Sequence, residues 1–146
     1  MKIISWNSRG VNNAPFRREV KEMIRTYKPD IVCFLETKSA FDSSALSFMS
    51  RQGFNGQFKV PAEGFASGLW LFWKSPSSNL SVIYFTSQAI HCTMQHKAES
   101  FFLTFGYIRP HDSFKDMFWT QLRDWSARHE GAWVVMGDFN DIASMD

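Results

Sequence analysis

The sequence predicts an α/β domain built on a mixed β-sheet with flanking helices, and three observations predict it. Residues 3–35 read as strand, helix, strand, for which a parallel pair is the natural expectation. The middle of the chain is a succession of short candidate strands separated by glycines and turn residues, the texture of antiparallel hairpins. A second long amphipathic helix then runs into a last short apolar strand near the end of the chain.

Ile3 and Ile4 open the first strand, which ends near Trp6 and gives way to a polar loop from Asn7 to Asn13. Pro15 suits the first turn of a helix, and Phe16, Val20, Met23, Ile24 and Tyr27 recur at helical spacing while Arg17, Arg18, Glu19, Lys21 and Glu22 fill the opposite face. Lys28-Pro29-Asp30 stops this helix, and the unbroken apolar run Ile31 to Leu35 is expected to be a strand buried on both faces. Asp42 to Arg51 reads as a short helix with Leu46 and Met49 inward, and Gly53, Gly56 and Gly64 punctuate the segment around it. Candidate strands follow at Gly56–Val60, Ser67–Trp73, Leu80–Phe85, Ala89–Gln95 and Phe101–Tyr107, with a turn at Ser75-Pro76-Ser77-Ser78-Asn79. Ser113 is the expected N-cap of the second long helix, whose apolar face is Phe114, Met117, Phe118, Leu122 and Trp125 and which Gly131 ends. Trp133 to Met136 is the last buried strand, and Gly137-Asp138-Phe139-Asn140 follows it.

The bulk composition limits the classes available. The chain has 146 residues, 45% of them hydrophobic and 21% charged, which is a globular composition for one domain. Fifteen Phe, six Trp and three Tyr call for a large core or a second covering layer. Sixteen Lys and Arg against fourteen Asp and Glu give +2, too small an excess to require nucleic acid or to exclude it. Cys33 and Cys92 sit in apolar contexts without metal-ligand spacing and are expected to be reduced, buried thiols. The start, MKIISWNSRG, does not read as a signal peptide, and no run approaches the roughly 18 apolar residues of a membrane span. The expectation is an intracellular protein, nuclear or cytoplasmic, neither secreted nor membrane-bound.

Several polar residues share one placement. Asn7, Glu36 and Tyr107 each end or follow a strand, and Asp138 and Asn140 follow the last one. Strand ends of a mixed sheet collect along one rim, where α/β proteins place ligands. A hard divalent cation takes carboxylate and amide oxygens, which Glu36 and Asn7 supply. Asp138 can orient or deprotonate an attacking water, and Tyr107 and Asn140 can hydrogen-bond phosphate oxygens. Taken singly, each residue also has an ordinary reading as a cap, a turn or packing; their order and shared placement favour a site.

Four motifs carry a resemblance. Ser5-Trp6-Asn7-Ser8-Arg9-Gly10, Leu35-Glu36-Thr37-Lys38, Gly106-Tyr107-Ile108-Arg109-Pro110 and Gly137-Asp138-Phe139-Asn140-Asp141 follow the motif order of the endonuclease/exonuclease/phosphatase superfamily. With Gly68-Leu69-Trp70-Leu71-Phe72-Trp73-Lys74, the chain most resembles the endonuclease domain of plant non-LTR, LINE-type retrotransposons. The resemblance implies a four-layer α/β sandwich, of which this chain would be the amino-terminal portion with the second sheet mostly missing. It implies metal-dependent cleavage of phosphate esters, with Mg2+ (or Mn2+) as cofactor and the DNA backbone as partner. Asn7 and Glu36 fall at metal-site positions, Tyr107 at a phosphate-contacting tyrosine, Asp138 at the aspartate that activates water and Asn140 at its neighbouring amide. Arg9, Tyr107 and Asn140 are the candidate substrate contacts. Arg9 stands where some apurinic-endonuclease relatives carry an acid, and Ser8 where a cysteine is common in the retrotransposon group. Full domains of the family end in a Ser-Asp-His motif, and none of His91, His96, His111 and His129 lies in one. Residues 1–146 are therefore expected to be a partial domain, catalytically impaired and self-associating through an uncovered sheet face. The alternatives are a non-catalytic module that binds nucleic acid or a partner, and a phosphatase of the same superfamily.

Overall fold

The computed structural model describes residues 1–11, 14–38, 46–62, 68–76 and 78–140. Its elements in chain order are β1 (Ile3–Asn7), α1 (Ala14–Tyr27), β2 (Ile31–Leu35), a 3₁₀ turn (Ser47–Gln52), β3 (Gly56–Val60), β4 (Leu69–Trp73), β5 (Asn79–Phe85), β6 (Ala89–His96), β7 (Glu99–Tyr107), α2 (Asp112–Arg128) and β8 (Trp133–Asp138). They form two four-stranded sheets, ordered β1-β2-β4-β3 and β5-β6-β7-β8. Each sheet has one parallel pair made by a helical crossover, β1-α1-β2 in the first and β7-α2-β8 in the second, and antiparallel pairing elsewhere.

Two-residue periodicity explains the unbroken apolar strands. Ile31, Cys33 and Leu35 of β2 and Leu69 and Leu71 of β4 point into a core between the sheets, where they meet Ile90, Cys92 and Met94 of β6 and Leu103, Phe105 and Tyr107 of β7. The alternate residues Val32, Phe34, Trp70 and Phe72 pack outward with Phe16, Val20 and Ile24 of α1. On the far side, Phe118 and Leu122 of α2 cover Ala89 and Ile108. The molecule is thus helix, sheet, sheet, helix in four layers, the architecture expected.

The second sheet, expected to be mostly missing, carries four strands. The turn after β4, expected to join neighbouring strands, instead carries the chain across to the other layer, so β4 and β5 lie in different sheets. The second sheet covers the inner face of the first, the face through which self-association is expected from the sequence. Local readings also change: Tyr27, expected on the apolar face of α1, is 55% exposed, and β8, expected to be buried, has no fully buried residue. Of the segment expected to be a helix from Asp42 to Arg51, residues 42–45 lie outside the described residues and Ser47–Gln52 is a 3₁₀ turn, with Leu46 and Met49 buried as expected. The N-cap of α2 is His111, whose ring accepts from the Ser113 backbone N–H, and not Ser113 itself. Met117, expected on the apolar face, is 48% exposed. Asn12, Asn13, Asp42, Gly64, Ser67, Ser77 and Asp141 lie outside the described residues.

Both cysteines are free and buried in the core between the sheets. Burial raises both thiols, Cys92 up to about 12, so neither is a ready nucleophile. His91 is 2% exposed on β6 and sandwiched between Tyr84 and Trp125, with ring centroids 5.8 and 4.3 Å away. Trp133 Nε1 donates to Thr104 Oγ1 at 2.9 Å, and Thr104 Oγ1 lies 2.8 Å from His91 Nδ1. The hydroxyl can then donate to Nδ1, which leaves the imidazole proton on Nε2. Burial, reinforced by the neighbouring His129, pushes the His91 pKa down to about 4.

Two stability predictions follow from these contacts. The ordinary histidine value is about 6.5, so the unfolded chain binds a proton that folded His91 refuses. The His91 contribution is complete above pH about 6.5 and is lost as pH falls towards 4. The melting temperature of the wild type should fall over that window, and His91→Phe should flatten the fall. Gly137 of β8 faces Gly106 of β7 at φ 148°, and a Cβ at Gly137 would stand 1.8 Å from the Gly106 carbonyl oxygen. Gly137→Ala should cost at least ~2 kcal/mol in urea unfolding, because it adds backbone strain to a steric clash.

Candidate active site

The ends of β1, β2, β7 and β8 meet on one rim. In the first sheet Asn7 pairs with Leu35 in parallel register, and in the second Tyr107 pairs with Asp138. Packing the sheets face to face sets one corner against the other. Asn7 Nδ2 donates to Asp138 Oδ2 at 2.8 Å, across 131 residues of chain and from one sheet to the other.

Both partners are held from behind. Asn7 Oδ1 accepts the backbone N–H of Arg9 at 3.1 Å, which orients the amide. Asp138 Oδ1 accepts the backbone N–H of Asn140 at 3.1 Å, so each carboxylate oxygen has a donor. Asn140 adopts φ 43° and donates its Nδ2 to the Ile108 carbonyl at 2.6 Å, and Ile108 N–H donates to the Asp138 carbonyl at 3.0 Å. The peptide after β8 is thereby stitched to the peptide after β7.

Glu36 follows β2 in a left-handed conformation, φ 55°, that turns its side chain out of the strand path. The loop after β1 binds this corner: Ser8 N–H and Oγ donate to the Leu35 carbonyl at 2.9 Å each, and Gly10 N–H donates to the Glu36 carbonyl at 2.9 Å. Lys38 Nζ lies 3.2 Å from Glu36 Oε1. The Glu36 side chain is 17% exposed, so this pair stands between solvent and interior. Tyr107 is buried, and its hydroxyl stands among Glu36, Asp138 and Asn140. Burial first, then the negative charge of Glu36, raises its pKa to about 12, so the phenol keeps its proton at neutral pH and remains a donor.

Five of the six residues expected at the site stand at this rim: Asn7, Glu36, Tyr107, Asp138 and Asn140. Arg9 is beside it with an exposed side chain and φ 51°. Asp138 is the last residue of β8 and not part of a turn after it, so the strand itself aims the carboxylate. Lys38 and Ser8 lie inside the quoted motifs without a role assigned from sequence; a cation two residues after a strand-end acid is the available signal for Lys38. Gln88 gives no signal at all. It is 1% exposed, its side-chain oxygen accepts Arg109 N–H at 3.1 Å, and its amide donates to the Phe114 carbonyl at 3.2 Å. Gln88 thus holds the loop that follows Tyr107.

The residue types at the rim, the carboxylates of Glu36 and Asp138 and the amide oxygen of Asn7, are those a hard cation takes, and Lys38 is the cation that stands at Glu36 here. Among the described residues no three His, Cys, Asp or Glu side chains cluster to hold a metal. A set made of oxygens alone suits Mg2+, which takes few protein ligands and keeps waters, better than Zn2+, which favours nitrogen and sulfur.

Known proteins share this arrangement of sheets and helices. No curated protein matches the sequence. Among solved structures, the AP endonuclease from Archaeoglobus fulgidus superposes with a TM-score of 0.73 at 15% identity, over 96% of this chain and 57% of that one. The 3′ phosphatase NExo from Neisseria, bound to a product DNA hairpin, gives 0.70 at 18% identity, over 96% and 58%. The human Nocturnin catalytic domain gives 0.64 at 19% identity, over 95% and 64%. The chain therefore spans about three-fifths of the length of these structures, and at such identities they show a shared fold. The family model described as the endonuclease/exonuclease/phosphatase family matches residues 4–146, nearly the whole sequence, and the chain belongs to that family.

Proposed function

We propose that this chain carries the water-activating and cation-binding groups of a metal-dependent phosphodiesterase acting on DNA, of the retrotransposon-endonuclease type. The observation that carries the reading is the Asn7–Asp138 hydrogen bond, with Glu36, Tyr107 and Asn140 gathered around it. Enzymes of this family generally depend on a divalent metal. The Neisseria phosphatase structure contains product DNA. The retrotransposon assignment rests on the motif resemblance, including the run Gly68 to Lys74.

The roles follow from the contacts. Glu36 and Asn7 would hold Mg2+ (or Mn2+), which supplies charge neutralisation at the phosphate. Asp138, with one oxygen on Asn7 and the other on the Asn140 backbone, has a fixed orientation and accepts a proton from, or aligns, the attacking water. Tyr107, kept protonated, donates a hydrogen bond to a phosphate oxygen as negative charge builds there. Asn140 tethers the Asp138 loop to the loop after β7 and supports both groups. Arg9, exposed beside Asn7, meets the phosphate backbone outside the rim.

A second reading, a module that binds nucleic acid without cutting it, is favoured by one observation. Among the described residues, His91, His111 and His129 bond to Thr104, Ser113 and the Trp125 carbonyl, and not to the rim residues.

One assay separates the two. Under the leading reading, supercoiled plasmid is nicked in Mg2+ or Mn2+, EDTA stops the reaction, and Asp138→Ala lowers the rate by at least about 100-fold with an unchanged circular dichroism spectrum. DNA binding with no nicking in either metal decides for the binding module. Tyr107→Phe should lower the nicking rate by about 10-fold or more while leaving the apparent metal affinity unchanged, because it removes a donor to phosphate and no metal ligand. An equal loss of metal affinity would move Tyr107 from phosphate contact to support of Glu36.

A further inference from the structure

A second charged feature lies on the outer side of the first sheet. The flank of α1 and the 3₁₀ turn enclose a depression of about 430 Å3 whose walls include Arg17, Arg18, Lys21, Phe48 and Arg51. Arg17 and Lys21 are one helical turn apart, as are Arg18 and Lys21, so α1 presents all three on one flank. Arg51 approaches from the 3₁₀ turn. These four cations exceed the +2 net charge of the whole chain. Among the described residues none of them has a carboxylate partner; the ion pairs there are Arg25 with Glu22 and Lys38 with Glu36. The first turn of α1 has no acidic residue to offset the partial positive charge of the helix end. Lys21 Nζ lies 5.2 Å from the centre of the Phe48 ring, which steers the ammonium towards the 3₁₀ turn. Four like charges around one concavity repel one another unless an anion sits among them.

We propose that this depression binds backbone phosphates of a polynucleotide whose cleaved phosphate lies at the rim. The proposal rests on the phosphodiesterase reading and adds to it a second contact with the polynucleotide, on the outer side of the first sheet and away from the cleaved phosphate. The reach is suitable. Ala14, which also lines the depression, follows Asn7 by seven residues, so the two are at most about 25 Å apart. At about 3.4 Å of rise per nucleotide on one strand, the two places lie within about seven nucleotides of each other. Exposed Arg9 lies on the stretch of chain between them.

The test is fluorescence anisotropy of a labelled duplex of about 30 base pairs in EDTA, over a salt series, with the full chain. The variant Arg17→Ser/Arg18→Ser/Lys21→Ser/Arg51→Ser alters exposed side chains only. Its expected effects are an affinity at least about 10-fold weaker and a slope of log affinity against log salt shallower by up to about 3.6, at roughly 0.9 for each phosphate no longer neutralised. The charge-conserving variant Arg17→Lys/Arg18→Lys/Lys21→Arg/Arg51→Lys should keep both the affinity and the slope. Hydrolysis of bis-p-nitrophenyl phosphate in Mg2+, which is too small to reach the depression, should be the same in all three proteins. If the serine variant binds the duplex with wild-type affinity and slope, the proposal is overturned, whether or not the rim cleaves the small ester. If the charge-conserving variant loses as much slope as the serine variant, a local structural change explains both, and the proposal is overturned as well. A slope that tracks charge, with no hydrolysis of either substrate, sinks the catalytic reading of the rim and leaves the phosphate site standing.

Discussion

The contact between the two sheets is the constraint on which everything else depends. Ile31, Cys33, Leu35, Leu69 and Leu71 from one sheet and Ile90, Cys92, Leu103 and Phe105 from the other are each no more than 2% exposed, and they meet in a single cluster. This interface decides how the strand ends align. Asn7 and Asp138 are on different sheets, so the hydrogen bond between them holds only in one register of one sheet on the other. Close packing resists a change of that register, because core side chains interdigitate at crystal-like density. The apolar core therefore acts as the positioning device for the polar rim.

Electrostatics at the rim depends on that placement. Glu36 and Asp138 bring two negative charges near the buried Tyr107 hydroxyl, and both raise its pKa. Lys38 answers part of the charge at Glu36, and Asn7 and the Asn140 backbone answer the charge at Asp138. Such an arrangement keeps donors and acceptors in place before any substrate arrives, so little reorganisation remains for the reacting state. The loop after β1, held to the Leu35 and Glu36 carbonyls, and Gln88 beneath the loop after β7 do comparable work from opposite sides.

Much of this is legible in the sequence, for local reasons. Ile31–Leu35 and Gly56–Val60 are strands at the bounds that the residue pattern predicts, and α1 follows its apolar spacing from Phe16 to Ile24. The site residues are legible because each ends or follows a strand and because their motifs keep a family order. What is not legible depends on contacts between distant parts of the chain. The turn at Ser75-Pro76 looks the same whether it joins two strands of one sheet or passes the chain between sheets; only the packing of β5 to β8 against β2 and β4 decides, and with it the presence of a second sheet. The Asn7–Asp138 bond spans 131 residues, and no local pattern announces it. His111 takes the cap from Ser113 because a ring nitrogen can accept a backbone N–H as a serine oxygen does, and residue preference alone does not distinguish them. The basic depression is hidden in a different way: Arg17, Arg18 and Lys21 read as an ordinary solvated helix face until the 3₁₀ turn brings Arg51 beside them.

The strand order has a mechanical consequence for the rim. β1 ends one sheet and β8 ends the other, and every residue of β1 is only partly buried, as are five of the six in β8. The two sheets resemble the covers of a book whose spine is the tightly packed middle, around β2 and β7, and whose fore-edge is the pair β1 and β8. Asn7 and Asp138 form a clasp on that fore-edge. Each is carried by a strand with a hydrogen-bonded neighbour on one side alone among the described residues, so local opening begins more readily there than at the spine. The groups best placed for chemistry thus sit on edge strands of the two sheets, and the clasp between them ties the two covers together at that edge.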